Sequence, residues 1–114
     1  SLAMVLCNTL PAQAGEDAKF VAVEKDGVKV WEGGGGTVEL KPGAKSLALK
    51  AVNKLNAEHG FAIDTMKVKE VLKPGEEKTI TVPFENIDRT VTEHRVYCHL
   101  HPKHEPATLK VKAK

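Results

Sequence analysis

The stretch YCHLHPKHEPA, residues 97–107, decides how this chain is read. It packs Cys98, His99, His101 and His104 into seven residues, with Pro102 interrupting the run. The segment before it alternates: across residues 91–98, His94, Val96 and Cys98 fall on one face and Arg95 and Tyr97 on the other. The segment after it, residues 108–112, turns Leu109 and Val111 inward. The cysteine therefore ends one strand, and three histidines ride on the loop that leads to the last.

Outward from this corner the same period continues. Residues 20–24 (FVAVE) form a strand, Lys25-Asp26-Gly27 turns it, and residues 28–31 resume. Gly33 to Gly36 break the chain before a short β-rich run at 37–40. Lys41-Pro42-Gly43 is a turn, because Pro presets one dihedral and Gly accepts a positive φ at the next. Residues 46–52 put Leu47, Leu49 and Ala51 on one face. Residues 61–64 point Phe61 and Ile63 inward. A second Leu-Lys-Pro-Gly turn at 72–75 leads to residues 79–84, where Ile80, Val82 and Phe84 share a face. Residues 53–60 (NKLNAEHG) have room for a helical turn but no apolar stripe. Seven to eight short strands at regular spacing predict an all-β sandwich or barrel of antiparallel or mixed strands.

Composition sets the frame. The chain has 114 residues, 41% hydrophobic and 28% charged, with a formal net charge of +2. That suits one domain, residues 15–114, around one core. No stripe of Lys and Arg with interleaved aromatics appears, which excludes a nucleic-acid partner. Residues 2–10 (LAMVLCNTL) are apolar and uncharged, and Pro11-Ala12-Gln13-Ala14 follows. Residues 1–14 therefore read as the back half of a secretory signal peptide cleaved after Ala14, and a nine-residue run is too short to span a bilayer. Export, to a bacterial periplasm, is the expectation. Cys7 would leave with the signal, and Cys98 would remain as a lone thiol in an oxidising compartment, where a metal would hold it.

Thiolate and imidazole together are the donor set of zinc and copper. Cys98, His101 and His104, at i, i+3 and i+6, can converge on one centre from a tight loop, whereas His99 points away. Three donors leave a site open. His59 is the expected fourth, since Gly60 allows close backbone approach and Phe61 turns inward. Glu58 and Glu105 are alternative oxygen donors. His94, Met66 and Trp31 read as ordinary core or surface residues.

The spacing Cys98-x-x-His101-x-x-His104, with His59 ahead on another strand, resembles the ligand pattern of the cupredoxins, a Greek-key β-sandwich family. The loop has the short length found in amicyanins, with His104 where those carry Met. The segments HGFAIDTMKVKEVLKPGEEKTITV, YCHLHPKH and ATLKV are similar to nitrosocyanin-like copper proteins along residues 58–111. Those carry Glu at the position of His59, and their second loop histidine lies further from the first. The resemblance implies one copper ion per chain, with His59, Cys98 and His101 in a plane and His104 axial. It also implies that Asn53 ties the ligand loops together, with Gly60, Phe61 and Pro102 supporting them. An electron carrier serving a redox partner protein is the implied role. An open copper site for a small molecule such as nitric oxide, or a copper carrier, are the alternatives. A homotrimer is expected by analogy.

Overall fold

Nine strands form among the residues that the computed structural model describes, which are 16–34, 36–40 and 42–113. The signal-peptide reading of residues 1–14, with Cys7, lies outside them. In chain order the strands are β1 (Ala18–Lys25), β2 (Val28–Gly33), β3 (Thr37–Leu40), β4 (Ser46–Asn53), β5 (His59–Ile63), β6 (Val68–Leu72), β7 (Glu77–Pro83), β8 (Glu93–Val96) and β9 (Ala107–Ala113).

Turn chemistry sets the first hairpin. Asp26 and Gly27 have φ of 51° and 79°, the paired positive dihedrals of a two-residue hairpin turn. Lys25 and Val28 close it, and β1 and β2 pair antiparallel up to Phe20 and Gly33. Next, β1 runs parallel to β4, and β4 pairs antiparallel with β7, giving one sheet in the order β2-β1-β4-β7. The second sheet runs β3-β9-β8, with β3 parallel to β9. The β5–β6 ribbon joins it because Ala62 and Tyr97 exchange both backbone hydrogen bonds, at 2.8 and 3.0 Å. On the far side, Trp31 N–H donates to the Glu105 carbonyl and Glu105 N–H to the Lys29 carbonyl. These two bonds tie the edge strand β2 to the loop that follows Cys98.

Period-2 alternation fills the space between the sheets. Leu47, Leu49 and Ala51 of β4 are buried, as are Phe20 and Ala22 of β1 and Leu109 and Val111 of β9. Each large apolar side chain withdrawn in this way contributes roughly 1.5–3 kcal/mol. An aromatic cluster caps one end of the core, with Phe61 5.8 Å from Phe20 and 5.1 Å from Trp31 between ring centroids.

Two local departures from the sequence reading have physical causes. Strand β6 is additional to the runs that alternation picks out: its burial alternates, but charged Glu70 falls on the face of buried Val68 and Leu72 while apolar Val71 is exposed, so hydropathy does not show it. Residues 54–58 form no helical turn; they are a loop held by Asn53. No helix among the described residues is long and apolar enough to cross a membrane.

Candidate metal centre

His59 begins β5, and all five residues of that strand are buried. Cys98 lies two residues beyond β8, on the course set by the Ala62–Tyr97 pairing. Pairing β5 with this segment is what brings positions 59 and 98 together. His104 arrives by a turn: its N–H donates to the His101 carbonyl at 3.0 Å, with Pro102 presetting the first corner.

The result is a buried cluster of three donors. His59, Cys98 and His104 offer ligand atoms that all lie within 4.8 Å of one another. His59 Nδ1 is 3.0 Å from His104 Nδ1 and 3.8 Å from Cys98 Sγ. Donors about 2.0–2.3 Å from a common first-row ion have separations of this size. The residues thus fit a metal of the copper or zinc class.

His101 is placed differently. Its ring packs on His59, with centroids 4.6 Å apart, but the residue is exposed and its Nε2 is 2.9 Å from the Glu58 carbonyl. Of its two nitrogens, Nδ1 is the one left free of that bond. Glu58 and Glu105 are exposed, and neither carboxylate joins the cluster.

Burial drives the protonation state. His59 is pushed down to about 4, first by burial and then by His104, His101 and Lys29. His104 is lowered by burial, with the Val30 carbonyl partly offsetting that effect and His101 and Lys29 adding to it. Both imidazoles are therefore neutral at pH 7, the form that ligates metal. His59 Nε2 has no hydrogen-bond partner among the described residues, and His104 has only the Val30 carbonyl acting on it from the backbone. A ligating imidazole is usually oriented from behind by such a bond. Aromatic packing adds to this at His104: Trp31 stacks on its ring, with centroids 5.5 Å apart and planes 27° from parallel.

The surroundings of the sulfur are equally specific. Gly60 N–H donates to Cys98 Sγ at 3.1 Å, and the Gly60 carbonyl accepts from Trp31 Nε1 at 3.1 Å. A Cβ at position 60 would fall within 3.0 Å of His99 Cγ and closer still to two other ring atoms. Glycine is thus required by the close approach of the His99 ring. That ring is half-buried with Nδ1 unpartnered, rather than pointing clear of the site. Phe61 supports the centre through Trp31.

Asn53 holds the His59 loop, but not by tying it to the loop of Cys98. Its amide nitrogen donates to the carbonyls of Ala57, Leu72 and Lys73, and its oxygen accepts from Leu55 N–H. These bonds clamp residues 53–57 to the end of β6. Sequence reading passed over Trp31 and His99 as site-shaping residues; a single Trp on a strand edge carries no local signal of what it stacks on.

A depression of about 520 Å³ opens beside the cluster, lined by Val28, Lys29, Ala57, His59, His101, Lys103 and His104 together with Gly27. It links the donors to solvent past the tip of the β1–β2 hairpin.

No protein-family model and no curated protein sequence matches the chain. Solved structures do match its fold. A laccase from Pediococcus acidilactici aligns with a TM-score of 0.55 and 15% identity over 83% of this chain and 26% of that one. A multi-copper oxidase from the same organism aligns at 0.54 and 14%, over 85% and 25%. The chain thus spans about a quarter of the length of the structures it resembles, and the likeness is one of fold: an all-β Greek-key sandwich of the cupredoxin-like type.

Proposed function

We propose that the chain is a mononuclear copper protein for electron transfer, with the ion held by Cys98, His59 and His104, and by His101 through Nδ1. The observation that carries this reading is the buried thiol: Cys98 Sγ accepts Gly60 N–H, lies 3.8 Å from His59 Nδ1 and is within 4.8 Å of a His104 ring nitrogen. Copper supplies a one-electron Cu(II)/Cu(I) couple. The chain's part is to present these donors from paired strands and a short proline-braced loop, so that little rearrangement accompanies the change of charge. Gly60 N–H draws electron density from the sulfur and tunes the couple. Exposed His101 is the donor nearest solvent, where a redox partner protein would meet the site. Residues 2–14 favour export, to a periplasm. Stopped-flow mixing of reduced, copper-loaded protein with oxidised small mediators tests the reading; failure to exchange electrons on the millisecond-to-second scale rejects it.

A second reading rests on the depression that reaches His59, His101 and His104. It gives a small molecule a route to the metal, as an open site of the nitrosocyanin-like kind would need. Adding azide or nitric oxide to the loaded protein separates the two: unchanged absorption and EPR spectra leave electron transfer alone standing.

A further inference from the structure

We infer that the depression beside the metal centre is a binding site for a small monovalent anion with oxygen acceptors, an organic carboxylate or an inorganic oxyanion, recognised by Lys29 and Lys103. The inference deepens the second reading above, but binding in the depression does not require that the anion reach the metal.

The lining carries the argument. Lys29, Lys103 and three histidines are among the residues lining a space of about 520 Å³, and no Asp or Glu lines it. This imbalance is local, since the chain as a whole carries 17 Lys and Arg against 15 Asp and Glu. Lys29 is fixed at the rim by its backbone, whose carbonyl accepts from Glu105 N–H at 2.8 Å. Its ammonium has one ion pair at the outer limit, 3.8 Å from Glu24, between side chains that are both well exposed. Such a pair neutralises little. Lys103 also lines the depression, on the turn between His101 and His104.

Val28 and Ala57 supply an apolar wall, and the space holds far more than one water, whose share of liquid volume is about 30 Å³. A cationic rim around a partly apolar recess concentrates anions and strengthens their contacts relative to open water. Bound Cu(II) would add one net positive charge after Cys98 gives up its proton, whereas Cu(I) would add none. A neutral ligand gains only from the apolar wall, and a cation is repelled.

The test is a titration of the metal-free and the reduced, copper-loaded protein with formate, benzoate and neutral benzamide at low ionic strength, read by backbone amide shifts. Saturable shifts at Gly27, Lys29, Ala57 and Lys103 with formate or benzoate, at least tenfold weaker with benzamide, are expected. The double variant Lys29→Gln/Lys103→Gln should bind at least tenfold more weakly while its other amide positions stay put. A preference for benzoate identifies a carboxylate with an apolar body, and equal binding of formate identifies the charge alone. Absence of saturable shifts up to 100-fold excess, benzamide binding as tightly as benzoate, or undiminished binding by the double variant each overturns the inference. If amide shifts appear but the spectrum of oxidised, copper-loaded protein does not change, the anion site stands and the reactive-copper reading falls.

Discussion

His59 and His104 meet Nδ1 to Nδ1 at 3.0 Å, both buried, 45 residues apart in sequence. Without a metal, one ring donates its proton to the other, and neither can become an imidazolium without placing a charge inside the fold. Both rings are held below the ordinary imidazole value, burial being the first cause.

The sign of the pH dependence follows. His59 titrates at 6.5 when unfolded and about 4 when folded, so between these values the unfolded chain binds more protons. Stability of the metal-free protein is therefore full above pH 6.5 and is lost as pH falls toward 4. Buried His94, also lowered by burial with Asp88 opposing, adds to the loss with the same sign. Thermal melts of metal-free protein should show the midpoint falling steadily from pH 7 to pH 4.5. A flat profile would mean that these rings are not buried in neutral form.

Cys98→Ser should abolish the sulfur-to-copper charge-transfer absorption, and should weaken copper binding at least tenfold by replacing a soft donor with a hard one. Cys98→Ala should do the same and also cost about 1–3 kcal/mol of stability, because buried Gly60 N–H loses its acceptor. Denaturant unfolding of the metal-free variants separates the two effects. Equal stability of the Ser and Ala variants would deny the N–H to sulfur bond any structural weight.

Gly60→Ala should destabilise the metal-free protein by about 1–3 kcal/mol, since the new Cβ overlaps the half-buried His99 ring. Adding His99→Ala removes the overlapping atoms and should recover most of that loss. A double-mutant cycle showing simple additivity would place the strain elsewhere.

Much of the fold was legible because its signals are local: Asp26-Gly27 demands its hairpin, and the alternation of Leu47, Leu49 and Ala51 demands one buried face. The chemistry was legible as residue types, because a thiol and three imidazoles within seven residues need no tertiary information to be noticed. What could not be read was set by contacts between distant strands. Whether β5 lies against Tyr97 decides that Cys98 meets His59. The turn at Pro102 decides that His104 goes inward while His101 stays exposed at the Glu58 carbonyl. Asn53 shows the limit from the other side: the resemblance implied that it ties the two ligand loops together, whereas its partners at Leu72 and Lys73 depend on where β6 ends.

Trp31 offers a direct readout of loading. It is the only tryptophan in the chain, and it stacks on His104 while its Nε1–H is bonded to the Gly60 carbonyl. Copper(II) binding should quench its fluorescence strongly with one-to-one stoichiometry, and removal of the metal with a chelator should restore it. Emission insensitive to copper would place the ion away from His104.

The sharpest division of labour is between His104 and His101. His104 is buried in the donor cluster, 3.0 Å from His59, whereas exposed His101 directs Nε2 to a backbone carbonyl. If the buried imidazole is a strong ligand, His104→Met replaces it with a weak thioether. The Cu–S bond should then strengthen, the visible absorption should move toward an intense blue band, and the reduction potential should rise. His101→Ala should leave the buried cluster intact in the metal-free protein, while opening a position on copper that azide or imidazole can fill with a change in the EPR spectrum. Spectra and potential that are indifferent to His104→Met would remove His104 from the metal. The site would then rest on His59, Cys98 and His101, with the His104 imidazole left as a buried neighbour.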